Sequence, residues 1–258
     1  MKLLVNLPRL FRLFFLSLLV AACGQGTDQS DTTEEKIVKS PTSDNTLTED
    51  EKEEGWKLLF DGKTAEGWRG YNQTSLPENW VVENGTLKSL GEGGDVGGDI
   101  VYEGEEFENF EIVIDWKIEE GGNSGVFYHI VEGEQYPVAY HTAPEYQMID
   151  QLGFPQNLEP WQSIGGDYGM YDPDFEGAVR PAGEWNTTRI RFSEEEVSYW
   201  LNGKKTVSFV PWSEDWQERK GAGKWKDYPD YGESRSGLIG LQDHGSQIWF
   251  KNIKIRRI

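Results

Sequence analysis

The chain is 258 residues long, with a formal net charge of −20, 13% aromatic residues, 11 tryptophans, 30 glycines and a single cysteine. Such an acid excess excludes nucleic acid or an anionic lipid surface as the main partner and favours a neutral, cationic or metal ligand. One cysteine excludes a disulfide framework, so core packing must hold the fold together.

The opening segment MKLLVNLPRLFRLFFLSLLVAAC has a basic start, an apolar run and small residues before Cys23, the pattern of an export signal. Its apolar run is short for a membrane span of about 20 residues. The LVAAC end resembles a bacterial lipobox, which implies cleavage after residue 22 and lipidation of Cys23. Gly24 in place of an aspartate then implies a lipid-anchored protein of the outer membrane, on its periplasmic or surface face. Residues 23–54, after the cysteine itself, are acidic and nearly free of large apolar groups, so they read as a disordered tether. Residues 55–258 read as one domain.

Strand signals follow at close intervals, and no long helical period competes with them. WVVENGTLKSL and VSYWLNGKKTVSFV read as hairpins turned at Asn84-Gly85 and Asn202-Gly203. FEIVIDWKI alternates Phe110, Ile112, Ile114 and Trp116 against more polar positions, and SGVFYHIV, TTRIRF and SGLIGLQDHGSQIWFKNIKIRRI continue the pattern. Many strands without crossover helices predict an all-β sandwich of antiparallel sheets. Prolines crowd 132–144 and 151–184, which predicts long loops of functional weight. A further insertion, 213–237, carries at most one helical turn near Trp216, and its Lys224, Trp225 and Tyr228 either line a cleft or plug a sheet edge.

In PEYQMIDQ the alternation sends Tyr146 and Met148 to one face and Glu145 and Gln147 to the other, with Asp150 at the end. Likewise Gln242 and His244 oppose Ile239 and Leu241, and His129 falls on the face of Gly125 and Phe127. A carboxylate beside a histidine and partly withdrawn from water is a usable general base, which singles out Glu145, Asp150 and Asp243. Tryptophans in or near the loops, Trp161 among them, offer flat rings for sugar faces. No H-E-x-x-H helix, cysteine cluster or G-x-S-x-G elbow is present, and GEGGDVGGD lacks the strand-to-helix setting of a nucleotide loop. It reads instead as a flexible turn or a calcium-tolerant loop using Asp95 and Asp99.

The segments LFDGKTAEGW, WVVENGTL, GGNSGVFYHI, PEYQMIDQ, RPAGEWNT, WLNGKK and IGLQDHGSQIWFKNIKI together resemble the 3-keto-disaccharide hydrolase family, in family order across nearly the whole domain. The resemblance implies a concanavalin-like jelly roll that holds a carbohydrate, and cleavage of 3-keto-glycosides downstream of a sugar 3-dehydrogenase. A C3 ketone acidifies the C2 hydrogen; a base removes it, the enolate expels the C1 substituent, and water adds to the glucal. On this reading Glu145 or Asp150 is the base and His244 the proton donor or enolate-side hydrogen bond. His129, Gln147, Tyr168, Arg180, Gln242, Asp243 and Trp161 bind and orient the sugar. A divalent metal could replace the donors, with no ligand set readable. The same fold also hosts non-catalytic carbohydrate-binding or surface-scaffold modules, the alternative reading.

Overall fold

The computed structural model describes residues 43–94 and 98–258. The signal segment, Cys23 and Asp95 lie outside the described residues. A short helix, α1 (Glu49–Glu53), leads into β1 (Lys57–Leu58), β2 (Trp68–Gly70), β3 (Trp80–Glu83), β4 (Thr86–Leu90), β5 (Ile100–Phe107), β6 (Phe110–Ile118), β7 (Asn123–Ile130) and β8 (Glu145–Ile149). After the long middle loop come β9 (Asn186–Phe192), β10 (Val197–Leu201), β11 (Lys204–Phe209), α2 (Glu214–Ala222), β12 (Gly237–Leu241) and β13 (Gln247–Arg257).

The larger sheet runs β11-β10-β9-β6-β13-β4-β3, with β1 also on β13; the smaller runs β2-β5-β12-β7-β8. Every pairing is antiparallel, and the two sheets stack as a concanavalin-like jelly roll. Both predicted hairpins close where the sequence puts Asn-Gly: Asn84 and Asn202 adopt φ of 49° and 50°, followed by left-handed glycines, as a tight turn matching strand twist requires. Between the sheets lie Phe110, Ile112, Ile114 and Trp116 of β6, all fully buried, against Val126, Tyr128, Tyr146, Met148, Ile239 and Leu241 of the smaller sheet. The Tyr128 and Tyr199 hydroxyls satisfy each other across this core at 2.6 Å.

Two expectations need correction. The tether reading extends to residue 54, yet residues 43–54 fold onto β13. Asn45 and Asn252 exchange backbone-to-side-chain bonds, the Asn45 amide also donates to Gly85 O, and Glu51, reciprocally capped with Thr48, pairs with Lys254. Polar side chains rather than apolar burial dock this segment, which is why hydrophobicity did not reveal it. The second correction is α2: nine residues in place of one turn, capped by Ser213 and anchored through buried Trp216.

Candidate active site

Because Tyr146 and Met148 face the core, Glu145 and Gln147 must project from the outer face of the smaller sheet. Gly125 lies beside them: on β7 it pairs with Gln147, while its carbonyl accepts from Gln242 N at 3.0 Å. Three adjacent strands therefore present Gln147, a bare glycine and Gln242 in a row, and the Glu145 side chain lies over the glycine. A Cβ at 125 would come 2.8 Å from Glu145 Cγ.

Loops roof this row. Residues 165–168 pair with β8 through Gln147 N to Gly166 O, Gly165 N to Gln147 O and Tyr168 N to Glu145 O, which brings Tyr168 above Glu145. Trp161 packs on Tyr168 at 5.2 Å between ring centres, and Trp225 donates its indole N–H to Tyr168 O. Lys224, one residue earlier, holds its ammonium 3.9 Å from the Tyr168 ring centre and 4.9 Å from that of Trp225. Tyr140, His141 and Tyr228 form the neighbouring aromatic rim.

Under this roof Glu145, Gln147 and Gln242 are only 4%, 2% and 7% exposed. Burial, aided by Asp99 and Asp167, pushes the Glu145 carboxyl up to about 8, against the opposing pull of the Lys224 ammonium and the Gln242 amide. Burial in turn lowers the Lys224 ammonium, while Glu145 and Tyr228 act to raise it. Gln147 Nε2 donates to Gln162 O at 3.1 Å, and Oε1 of both Gln147 and Gln242 has no hydrogen-bond partner among the described residues. Buried acceptors without partners are costly unless a ligand meets them, and sugar hydroxyls are donors of the right kind.

Glu145, Gln147, Gln242, Tyr168 and Trp161 thus come together as the sequence led us to expect. Others do not. Asp150, at the far end of β8, accepts from Gly121 N at 2.9 Å and from Leu152 N and Gly153 N, so its carboxylate ties down a turn and is no free base. It borders an open groove of about 450 Å³, which is also lined by Lys117, Leu152, Pro181 and Trp249 and includes none of the three floor residues. Asp243 likewise accepts from Asn79, Gly93 N and Gly245 N and joins two loops rather than facing a sugar. Exposed Arg180 donates to Trp185 O. His129 points into the core: a bulge opposite Leu238 and Gly240, with His129 at φ 55°, reverses the strand's alternation. The ring packs on Phe110, Tyr128 and Phe192 and bonds Glu108 O at 2.9 Å. His244 is half-buried in the β12–β13 turn, two residues beyond Gln242.

Lys224 is the functional candidate that sequence reasoning left undecided. A lysine flanked by tryptophan beside a loop of prolines was a signal, but only tertiary packing lays its ammonium against the Tyr168 and Trp225 rings. No group of three or more His, Cys, Asp or Glu among the described residues is arranged to hold a metal.

A jelly-roll sandwich with an acid over a row of amides, roofed by aromatic loops, defines a carbohydrate-active enzyme of the concanavalin-like class. Residues 55–256 match the 3-keto-alpha-glucoside-1,2-lyase-like domain, and the chain belongs to that family. It is 32% identical over 228 residues to the 3-keto-disaccharide hydrolase of Bacteroides thetaiotaomicron, covering 79% of this chain and 78% of the relative. Two solved structures from Parabacteroides distasonis, each named as a candidate glycosyl hydrolase, are also similar. One is 43% identical with a TM-score of 0.78, covering 84% of this chain and 100% of that one. The other is 28% identical with a TM-score of 0.61, covering 79% and 99%. The protein is accordingly a glycosidic-bond-cleaving hydrolase or lyase.

Proposed function

We propose that this enzyme cleaves glycosides whose sugar carries a ketone at C3, with Glu145 as the base. The observation that carries the reading is a buried carboxyl, pushed up to about 8, that lies over Gly125 on the same sheet face as Gln147 and Gln242, whose amide oxygens lack partners among the described residues. A base of that strength suits a C–H made acidic by a neighbouring ketone. The C2 proton passes to Glu145, and the C–H electron pair forms a C2–C3 double bond as the carbonyl pair moves onto the C3 oxygen. The enolate returns its charge from the C3 oxygen, expels the C1 substituent, and the departing oxygen takes a proton. Water then adds across the new double bond. Gln147 and Gln242 receive sugar hydroxyls, and Trp161 and Tyr168 cover a ring face. The ketone must come from a reaction that oxidises a C3 hydroxyl, the role of a sugar 3-dehydrogenase.

The purified protein is incubated with a 3-keto-glucoside and with its unoxidised parent. Cleavage of the first alone, lost in Glu145→Gln with binding retained, is expected; equal cleavage of both sinks the reading. We also infer export and lipidation at Cys23 from the lipobox-like end, placing the enzyme at the outer membrane. Incorporation of labelled fatty acid that vanishes in Cys23→Ser tests it, and labelling that persists in that variant refutes it.

A further inference from the structure

Resting on that reading, we propose that Lys224 is the electrophile of this site: its ammonium binds the C3 oxygen, holds the charge that develops there, and selects the ketone over the alcohol. The floor cannot supply this. Gln147 Nε2 is committed to Gln162 O, the Gln242 amide is turned to Glu145, and the two remaining amide oxygens are acceptors. A developing enolate needs donors, and three acceptors around it would oppose proton removal.

Lys224 is a cation that acts on Glu145 against the effect of Asp99 and Asp167, and it does so through space rather than through a hydrogen bond. Tyr168 and Trp225 hold its ammonium from the roof side, whereas the carboxyl lies on the sheet. Base and cation thus come from different elements, the sheet and the loop that carries Lys224, so that each can meet a different one of the neighbouring atoms C2 and O3 of one ring. Lys224 is exposed, so a ligand can reach it. As the proton moves to Glu145, its negative charge disappears and an equal charge appears on O3, so the Lys224 ammonium is matched before and after the step. An unoxidised sugar builds no charge at O3 and gains nothing from it.

The test is exchange of the C2 hydrogen of a 3-keto-glucoside with deuterated solvent, followed by NMR beside turnover. Wild type should exchange; Lys224→Met should lose roughly 10²–10³-fold in kcat/KM, and Lys224→Arg should recover part of it. Removing the ammonium should also move the Glu145-dependent rise of kcat/KM upward by roughly one pH unit, a shift that a merely structural role would not produce. Lys224→Gln at the same exposed position repeats the measurement should the methionine variant prove unstable. Exchange in wild type with Lys224→Met and Lys224→Gln within threefold of it, and an unmoved pH profile, overturns the role of Lys224 alone. Absence of exchange in wild type overturns the proposed chemistry as well.

Discussion

A methyl group on Gly125 would sit 2.8 Å from Glu145 Cγ and 2.9 Å from its Cδ, contacts that real side chains avoid. The constraint is steric, since Gly125 is not among the glycines at positive φ. Gly125→Ala should therefore displace the carboxyl, lower stability by about 1–3 kcal/mol and reduce kcat/KM at least tenfold; an unchanged urea midpoint with normal turnover would contradict this placement. Residue-level chemistry was legible where period-two alternation held, as for Glu145, Gln147 and Gln242. It failed where local backbone groups claimed an acid. Asp150 and Asp243 stand at strand ends, as a catalytic carboxylate often does, but nearby N–H groups occupy their oxygens. A sequence shows an acid in a turn without showing which N–H groups converge on it.

At the scale of elements, one bulge decides the fate of a histidine. The extra residue in β7 turns His129 from the outer face into the core, where burial lowers its imidazole to about 4 despite carbonyls of Glu108 and Ser234 nearby. The folded ring stays neutral while the unfolded chain takes a proton near the ordinary value of 6.5. Its contribution is thus fully present above 6.5 and is lost as pH falls from there toward 4. His129→Asn, which tolerates the left-handed backbone, should show a smaller loss of unfolding free energy between pH 7.5 and 5 than wild type, with turnover within twofold; parallel losses would count against it. The docked segment before β1 gives a second case. Asn45, itself at φ 54°, joins Asn252 and Gly85. Asn45→Gly keeps that backbone conformation but removes both side-chain bonds, at a cost of about 1–2 kcal/mol in denaturant unfolding. Neither element was legible, since a bulge and a polar dock leave no hydrophobic period.

Across the whole molecule, the entering segment lies along the larger sheet and the candidate site on the outer face of the smaller, so docking and chemistry use different surfaces. The sheets and hairpins were readable because alternation and Asn-Gly turns are local; the roof was not, because its contacts join residues far apart in sequence. Its enclosure makes activity and stability respond oppositely to pH. With Glu145 as the proposed base, kcat/KM should rise as pH approaches its value of about 8. Folding instead favours the protonated forms of Glu145, of Asp99, pushed up to about 7, and of Asp167, pushed well above the carboxylate range by burial. Each holds its proton more tightly folded than unfolded, so stability falls as pH rises above the unfolded values near 4. Asp167 bears on both effects. Both its oxygens lack hydrogen-bond partners among the described residues, and it shares the core edge with Tyr128, Tyr199 and Tyr231 rather than the sugar-facing floor. Asp167→Asn cannot ionise, so its unfolding free energy should decline less than that of wild type between pH 5 and 9. The rise of kcat/KM should move to lower pH, because the Asp167 charge is one of those that push Glu145 up. Equal declines in urea unfolding would remove Asp167 as a source of the alkaline loss, whereas an unmoved activity profile would mean that its charge does not act on Glu145.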